Sequence, residues 1–164
     1  MKPLEKQHNV ANQLWIFTFI GVGFLFVAMP TCEARSKDDG TLVKQIQEMI
    51  AKIRTSKTPE VRADAAEHLA DLTREIQPKD VDDKTFNDLV SLMDSTDDSV
   101  RAGVAAALGF LGPRARPAVP KLLEILPKVD CLNGTITSAD AIRYALKRIG
   151  VTPPPRPDCN RIGG

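Results

Sequence analysis

Val61-Arg62-Ala63-Asp64-Ala65-Ala66-Glu67-His68-Leu69-Ala70-Asp71-Leu72 returns 39 residues later as Val100-Arg101-Ala102-Gly103-Val104-Ala105-Ala106-Ala107-Leu108-Gly109-Phe110-Leu111. The two align without gaps and agree at six of twelve positions: Val, Arg, Ala, Ala, Leu and Leu. A fainter third copy follows at a spacing of 38, where Ala145-Leu146 matches Ala107-Leu108, Ile142 stands for Val104, Ile149 for Leu111 and Gly150 for Gly112. Val61, Ala65, Leu69 and Leu72 are spaced i, i+4, i+8, i+11, which puts them on one face of a helix. Each copy is therefore an amphipathic helix with a small-residue flank.

A second helical pattern precedes each copy. Leu42 to Ile53 carries Leu42, Ile46, Met49, Ile50 and Ile53 on one face; Asp83 to Met93 carries Phe86, Leu89, Val90 and Met93; Pro117 to Leu126 carries Val119, Leu122, Leu123 and Leu126. Pro117 and Pro120 suit the first turn of that last helix, where backbone donors lack intrahelical partners. Thr58-Pro59, the run Asp94 to Asp98 and Ser138 supply caps, and Gly112-Pro113 ends the fourth helix. No stretch alternates with the period of a strand. The prediction is all-α: six helices in three hairpins, stacked as a short α-solenoid.

With its Val-Arg openings, its Ala-Leu-x-x-Leu-Gly ending and a following helix that begins Arg116-Pro117-Ala118, the chain resembles the HEAT-like repeat family over roughly residues 41–150. The resemblance implies a right-handed curved solenoid with the Val-Arg helices along the concave face. For function it implies a scaffold, inhibitor or receptor, and occasionally an enzyme, since the family includes bilin lyase subunits and DNA glycosylases. The departures fall at the ends. No recognisable repeat precedes the first pair, and the loop from Pro127 to Thr137 is longer than the others.

Residues 1–34 are of another kind. They hold the only Trp, Trp15, and four of the six Phe, and Leu14 to Met29 is sixteen residues without a charge. As a helix this run would be about 24 Å long, short of the roughly 30 Å hydrocarbon core of a bilayer. Lys2 and Lys6 precede it, Pro30 follows it, and Cys32-Glu33-Ala34 offers small residues where a signal peptidase reads. A cleaved secretory signal, an uncleaved anchor formed by residues 14–29 and a lipoprotein signal acylated at Cys32 all fit, and all place the remainder outside the cytoplasm. Residues 35–40 are expected to be a linker, 41–150 the repeat domain, and 151–164, with Pro153-Pro154-Pro155 and Pro157, a Pro-rich tail that is extended or unstructured. Cleavage after Ala34 would leave an even pair of cysteines, Cys131 and Cys159, free to bridge in an oxidising compartment or to remain unrelated thiols.

Beyond the leader the sequence is poor in catalytic groups. His68 is the only His there, no Ser, Thr or Cys has a second His to serve as a base, and Glu67-His68 alone does not make a metal site. Acid pairs such as Asp82-Asp83 and Asp97-Asp98 stand in turns before helices, where capping and solvation account for them. Three aromatic residues, Phe86, Phe110 and Tyr144, are too few for a nucleic-acid channel, and a formal net charge of +1 gives no general attraction to polyanions. No cofactor, metal or nucleic acid is expected, and no enzymatic activity. The alternatives are a membrane-anchored structural scaffold and, from the resemblance, an enzyme subunit such as a lyase.

Charge is distributed unevenly. Ser36 to Asp98 holds 9 Lys and Arg against 15 Asp and Glu, whereas Ser99 to Gly164 holds 10 against 4. Such a bipolar surface is either ordinary solvation or a means of steering a protein partner, or a second copy of the chain, into register, with a salt-sensitive self-association as its sign. Positions facing away from the Val-Leu stripe are the candidate partner-binding residues: Asp64, Glu67 and Asp71 in the first repeat, and Arg143, Lys147 and Arg148 in the third.

Overall fold

A computed structural model describes residues 36–131 and 137–159. Six α-helices occur among the described residues: α1 (Ser36–Thr55), α2 (Pro59–Glu75), α3 (Asp83–Ser91), α4 (Asp98–Phe110), α5 (Val119–Val129) and α6 (Ser138–Ile149). They form three hairpins, with no strand among the described residues. The expected leader at 1–34, residues 132–136, where Asn133-Gly134-Thr135 matches a glycosylation sequon or a turn after the fifth helix, and the tail beyond Cys159 lie outside the described residues. No described helix is long and apolar enough to cross a membrane.

The repeated helices α2, α4 and α6 lie side by side with α4 in the middle, and α1, α3 and α5 form the other layer. Between the layers run Ile46, Ile50, Leu69, Phe86, Leu89, Met93, Val104, Leu108, Leu122, Leu126, Ile142 and Leu146, all buried. Each is an apolar-face position of a 3.6-residue period, which is why one hydrophobic seam can run the length of the stack. Small residues set how closely the inner helices approach. A Cβ on Gly103 would sit 2.6 Å from the carbonyl oxygen of Ala66, and one on Gly109 would sit 3.1 Å from the Cα of Ala145.

The Arg of each Val-Arg pair locks its own hairpin. Arg62 donates to the Ser56 carbonyl at 3.2 Å and Arg101 to the Ser95 carbonyl at 2.6 Å, each six residues back. Arg62 then crosses to Asp97 of the next repeat at 3.2 Å. One residue on, Asp98 accepts from the Ser138 amide at 3.2 Å and the Ser138 hydroxyl at 2.5 Å, so adjacent aspartates tie the second repeat to both neighbours.

Local signals explain most of the boundaries. Asp82 caps α3 by accepting from the Thr85 amide at 2.7 Å, and that bond, reinforced by the Thr85 hydroxyl, holds its carboxyl below the ordinary range. Asp97 caps α4 through the Ser99 amide at 3.2 Å. Gly150 ends α6 with φ of 94°, a left-handed conformation that favours glycine.

Three expectations need correction. Residues 36–40, within the 35–40 expected as linker, open α1. Ser138 is the first residue of α6; its cap is Thr137, in a reciprocal box with Asp140. α5 continues through Pro127 to Val129, because a proline one turn from the end of a helix frees only the carbonyl of Leu123, a residue that is itself exposed. The tail is extended, and from Val151 to Cys159 it lies as a strap on α6. Arg143 donates to the Pro154 carbonyl, Arg156 pairs with Asp140, and Cys159 is disulfide-bonded to Cys131 with 5.4 Å between their Cα atoms.

Candidate partner-binding face

Repeat spacing fixes which side chains share a surface. Ala63, Glu67 and Asp71 on α2 correspond to Ala102, Ala106 and Phe110 on α4 and to Asp140, Tyr144 and Arg148 on α6. Each trio is spaced i, i+4, i+8 and so shares one face of its helix; on α4, Ala106 and Phe110 are partly buried and pack against the core. On α2 the row is acidic, with Glu67 and Asp71 exposed and Asp64 exposed beside them. On α4 it is apolar and half-buried, a floor of two alanines ending in Phe110. On α6 it carries Tyr144, 43% exposed and one of the two exposed large hydrophobic side chains among the described residues, and Arg148.

Rings and cations connect the rows. Phe110 and Tyr144 meet edge to face with centroids 6.3 Å apart and planes at 71°. The Arg74 guanidinium lies 5.8 Å above the Phe110 ring from the α2 side and holds Asp71 at 2.8 Å. Beyond Tyr144, the strap encloses a cleft of about 310 Å³ lined by Asp140, Arg143, Tyr144, Lys147, Pro153 and Arg156. Asp140 there is held below the ordinary carboxylate range, first by the Thr137 hydroxyl, against a smaller opposing effect of burial, and then by the Thr137 amide and Arg156. Lys147 is exposed at its edge.

Five of the six candidate residues are therefore at the surface: Asp64, Glu67 and Asp71 on the α2 edge, Lys147 and Arg148 on the α6 edge. Arg143 is not. It is 8% exposed and grips Asp130 with bonds of 2.6, 2.8 and 3.1 Å, while its remaining amino group reaches the strap. It belongs to the closure of the C-terminal end, since a partner would have to compete with a bidentate buried carboxylate. The sequence reasoning passed over Ala102, Ala106, Phe110, Tyr144 and Arg74. The repeat register could have found the first four, because they occupy the positions of Ala63, Glu67, Asp71 and Glu67 in neighbouring copies.

His68 is exposed on α2. Among the described residues no three His, Cys, Asp or Glu side chains come together as a metal-binding group.

A family model for HEAT repeats matches residues 46–130, more than half of the chain. No curated protein and no solved structure matches it. Six helices in three hairpins, a hairpin-locking Arg repeated at a spacing of 39, and that match agree: the chain belongs to the HEAT repeat family.

Proposed function

We propose that the chain is an exported, non-catalytic module that binds a protein partner on the face formed by α2, α4 and α6. The observation that carries this reading is the composition of the face: an apolar floor at Ala102, Ala106 and Phe110 between an acidic and a basic edge. Apolar centres with polar rims are the anatomy of protein interfaces, and exposed aromatic and Arg side chains are their usual anchors. Solenoids of this class bind through such extended inner surfaces. Export is supported by the charged start, the short apolar run and the small residues of the first 34 positions, and by a cysteine pair suited to an oxidising compartment.

Affinity capture from the native host tests the assignment of the face. Protein recovered with the wild-type chain should be lost with Glu67→Lys plus Asp71→Lys and with Lys147→Glu plus Arg148→Glu, and kept with Leu123→Glu on α5. Loss with the α5 variant alone would move the site to the other layer. The mass of the isolated chain tests export, since a start near Arg35 means cleavage and an intact N-terminus means anchorage or retention.

A further inference from the structure

The face is complementary to itself, and we infer that its occupant, in the absence of another partner, is the same face of a second copy of this chain. This rests on the reading of the α2, α4 and α6 surface as a docking face and names one occupant for it.

The argument begins with the symmetry of two identical faces in contact. A two-fold axis that brings one face onto another must lie in the plane between them. Two principal directions are available. With the axis across the helices, α2 meets α2 and Asp64, Glu67 and Asp71 face their own copies, while Lys147 and Arg148 face theirs. With the axis along α4, α2 of each copy meets α6 of the other, and the helices run parallel. Charge selects the second arrangement, because both edges then join unlike charges.

The residues that meet follow from the repeat register. Glu67 comes level with Tyr144 of the second copy, and Asp71 with Arg148. Lys147 stands exposed at the mouth of the strap cleft, where Arg156 is already paired with Asp140, and offers its own ammonium to an incoming carboxylate. In the middle, the Ala102 and Ala106 floors of the two copies face each other, with the Phe110 and Tyr144 rings, 6.3 Å apart within each copy, at one end of each floor.

The joined edges are exposed, so salt should weaken the contact strongly. The strap supplies one wall of the cleft, and the disulfide holds the strap. Reduction is therefore expected to weaken the association as well.

Sedimentation of the chain isolated from its native host, at micromolar concentrations and at low and high salt, tests the inference. The account expects a mass of two chains at low salt that falls to one at high salt, with no larger species. Glu67→Lys plus Asp71→Lys should raise the dissociation constant at least tenfold, and so should Lys147→Glu plus Arg148→Glu. An equimolar mixture of these two variants should recover the dimer, since each edge then regains unlike charges. Melting temperatures equal to that of the wild type show that the variants are folded. A monomer at every salt concentration overturns the inference, as does a dimer that both variants leave intact. Neither result touches the binding of a different protein to this face, which the capture experiment reads separately.

Discussion

The two seams of the inner layer are made of equivalent helices, yet each is closed at a different level. Between α2 and α4 the tight point is Gly103 on Ala66, near the middle of the helices, where an added Cβ would come within 2.6 to 2.8 Å of the Ala66 backbone and side chain. Between α4 and α6 it is Gly109 on Ala145, nearer their ends, with contacts of 3.1 and 3.4 Å. The equivalents of Ala66 and Gly103 in the second seam are Ala105 and Ala141, and those of Gly109 and Ala145 in the first are Ala70 and Ala107. Every position is small, and only the site of the glycine moves. The repeat thus dictates small residues along both seams, while one glycine in each chooses where the backbones come closest.

The sharpest way to break the first seam and spare the second is to fill the glycines. Gly103→Val must displace backbone, so it should cost more than about 3 kcal/mol, at the upper end of overpacking penalties. In a domain of this size that lowers the melting temperature by on the order of 10 to 20 °C. Gly109→Ala meets a contact that a few tenths of an ångström relieve, and it gains up to about 1 kcal/mol of helix propensity, so its net effect should stay within about 1 kcal/mol. Thermal denaturation of the two variants reads the contrast, and equal losses would mean that the seams are not locked at these points.

The second seam has a support that the first lacks. Past α6 there is no further described repeat, and the open side is closed by the Arg143–Asp130 pair and the disulfide-held strap. Cys131→Ser plus Cys159→Ser releases a crosslink 28 residues apart and should cost about 2 to 3 kcal/mol, somewhat under the chain-entropy value of about 3.5 kcal/mol. Hydrogen exchange should quicken in α6 far more than in α2. Uniform quickening through all six helices would contradict an end-closing role.

The smallest expected difference concerns acid. Asp98 spans the second seam; burial pushes its carboxyl upward, but the Ser138 hydroxyl and amide together with Arg101 outweigh burial and leave it below the ordinary value of 3.8. A carboxyl depressed in the folded state contributes stability that is present above that ordinary value and is lost as pH falls toward the depressed one. Asp98→Asn, which keeps the shape and removes the titration, should cost about 1 kcal/mol at neutral pH and flatten the loss of stability below about pH 4. Denaturant midpoints measured from pH 7 to pH 2.5 distinguish the two chains, and parallel curves would show that Asp98 is not a source of the acid response.

How much of this was legible follows from what each feature depends on. The six helices were readable because Val61 to Leu72 and Val100 to Leu111 state the same periodic pattern twice, and periodicity survives without knowledge of contacts. The edges of the face were readable for the same reason, since a helical period says which residues point away from the core. The fate of Arg143 was legible only in part. The register sets it level with the buried Ala66 and Ala105, which marks it as inward-facing, but the partners that hold it there, Asp130, 13 residues back, and the Pro154 carbonyl, do not show in the repeat. The exchange of Ser138 for Thr137 as the cap has a similar origin: Ser138 is drawn away by Asp98, 40 residues earlier. Phe110 and Tyr144 looked like isolated aromatics because their meeting spans two repeats.

The central claim is that a protein binds on α2, α4 and α6, and photocrosslinking tests it most directly. A photoreactive residue replaces Ala106, in the middle of the face, or Leu123, on α5 in the opposite layer, and the chain is irradiated in its native host. The account predicts a discrete protein adduct from position 106, either a second copy or another partner, and none from position 123. Adducts from position 123 alone, or equally from both, would contradict it.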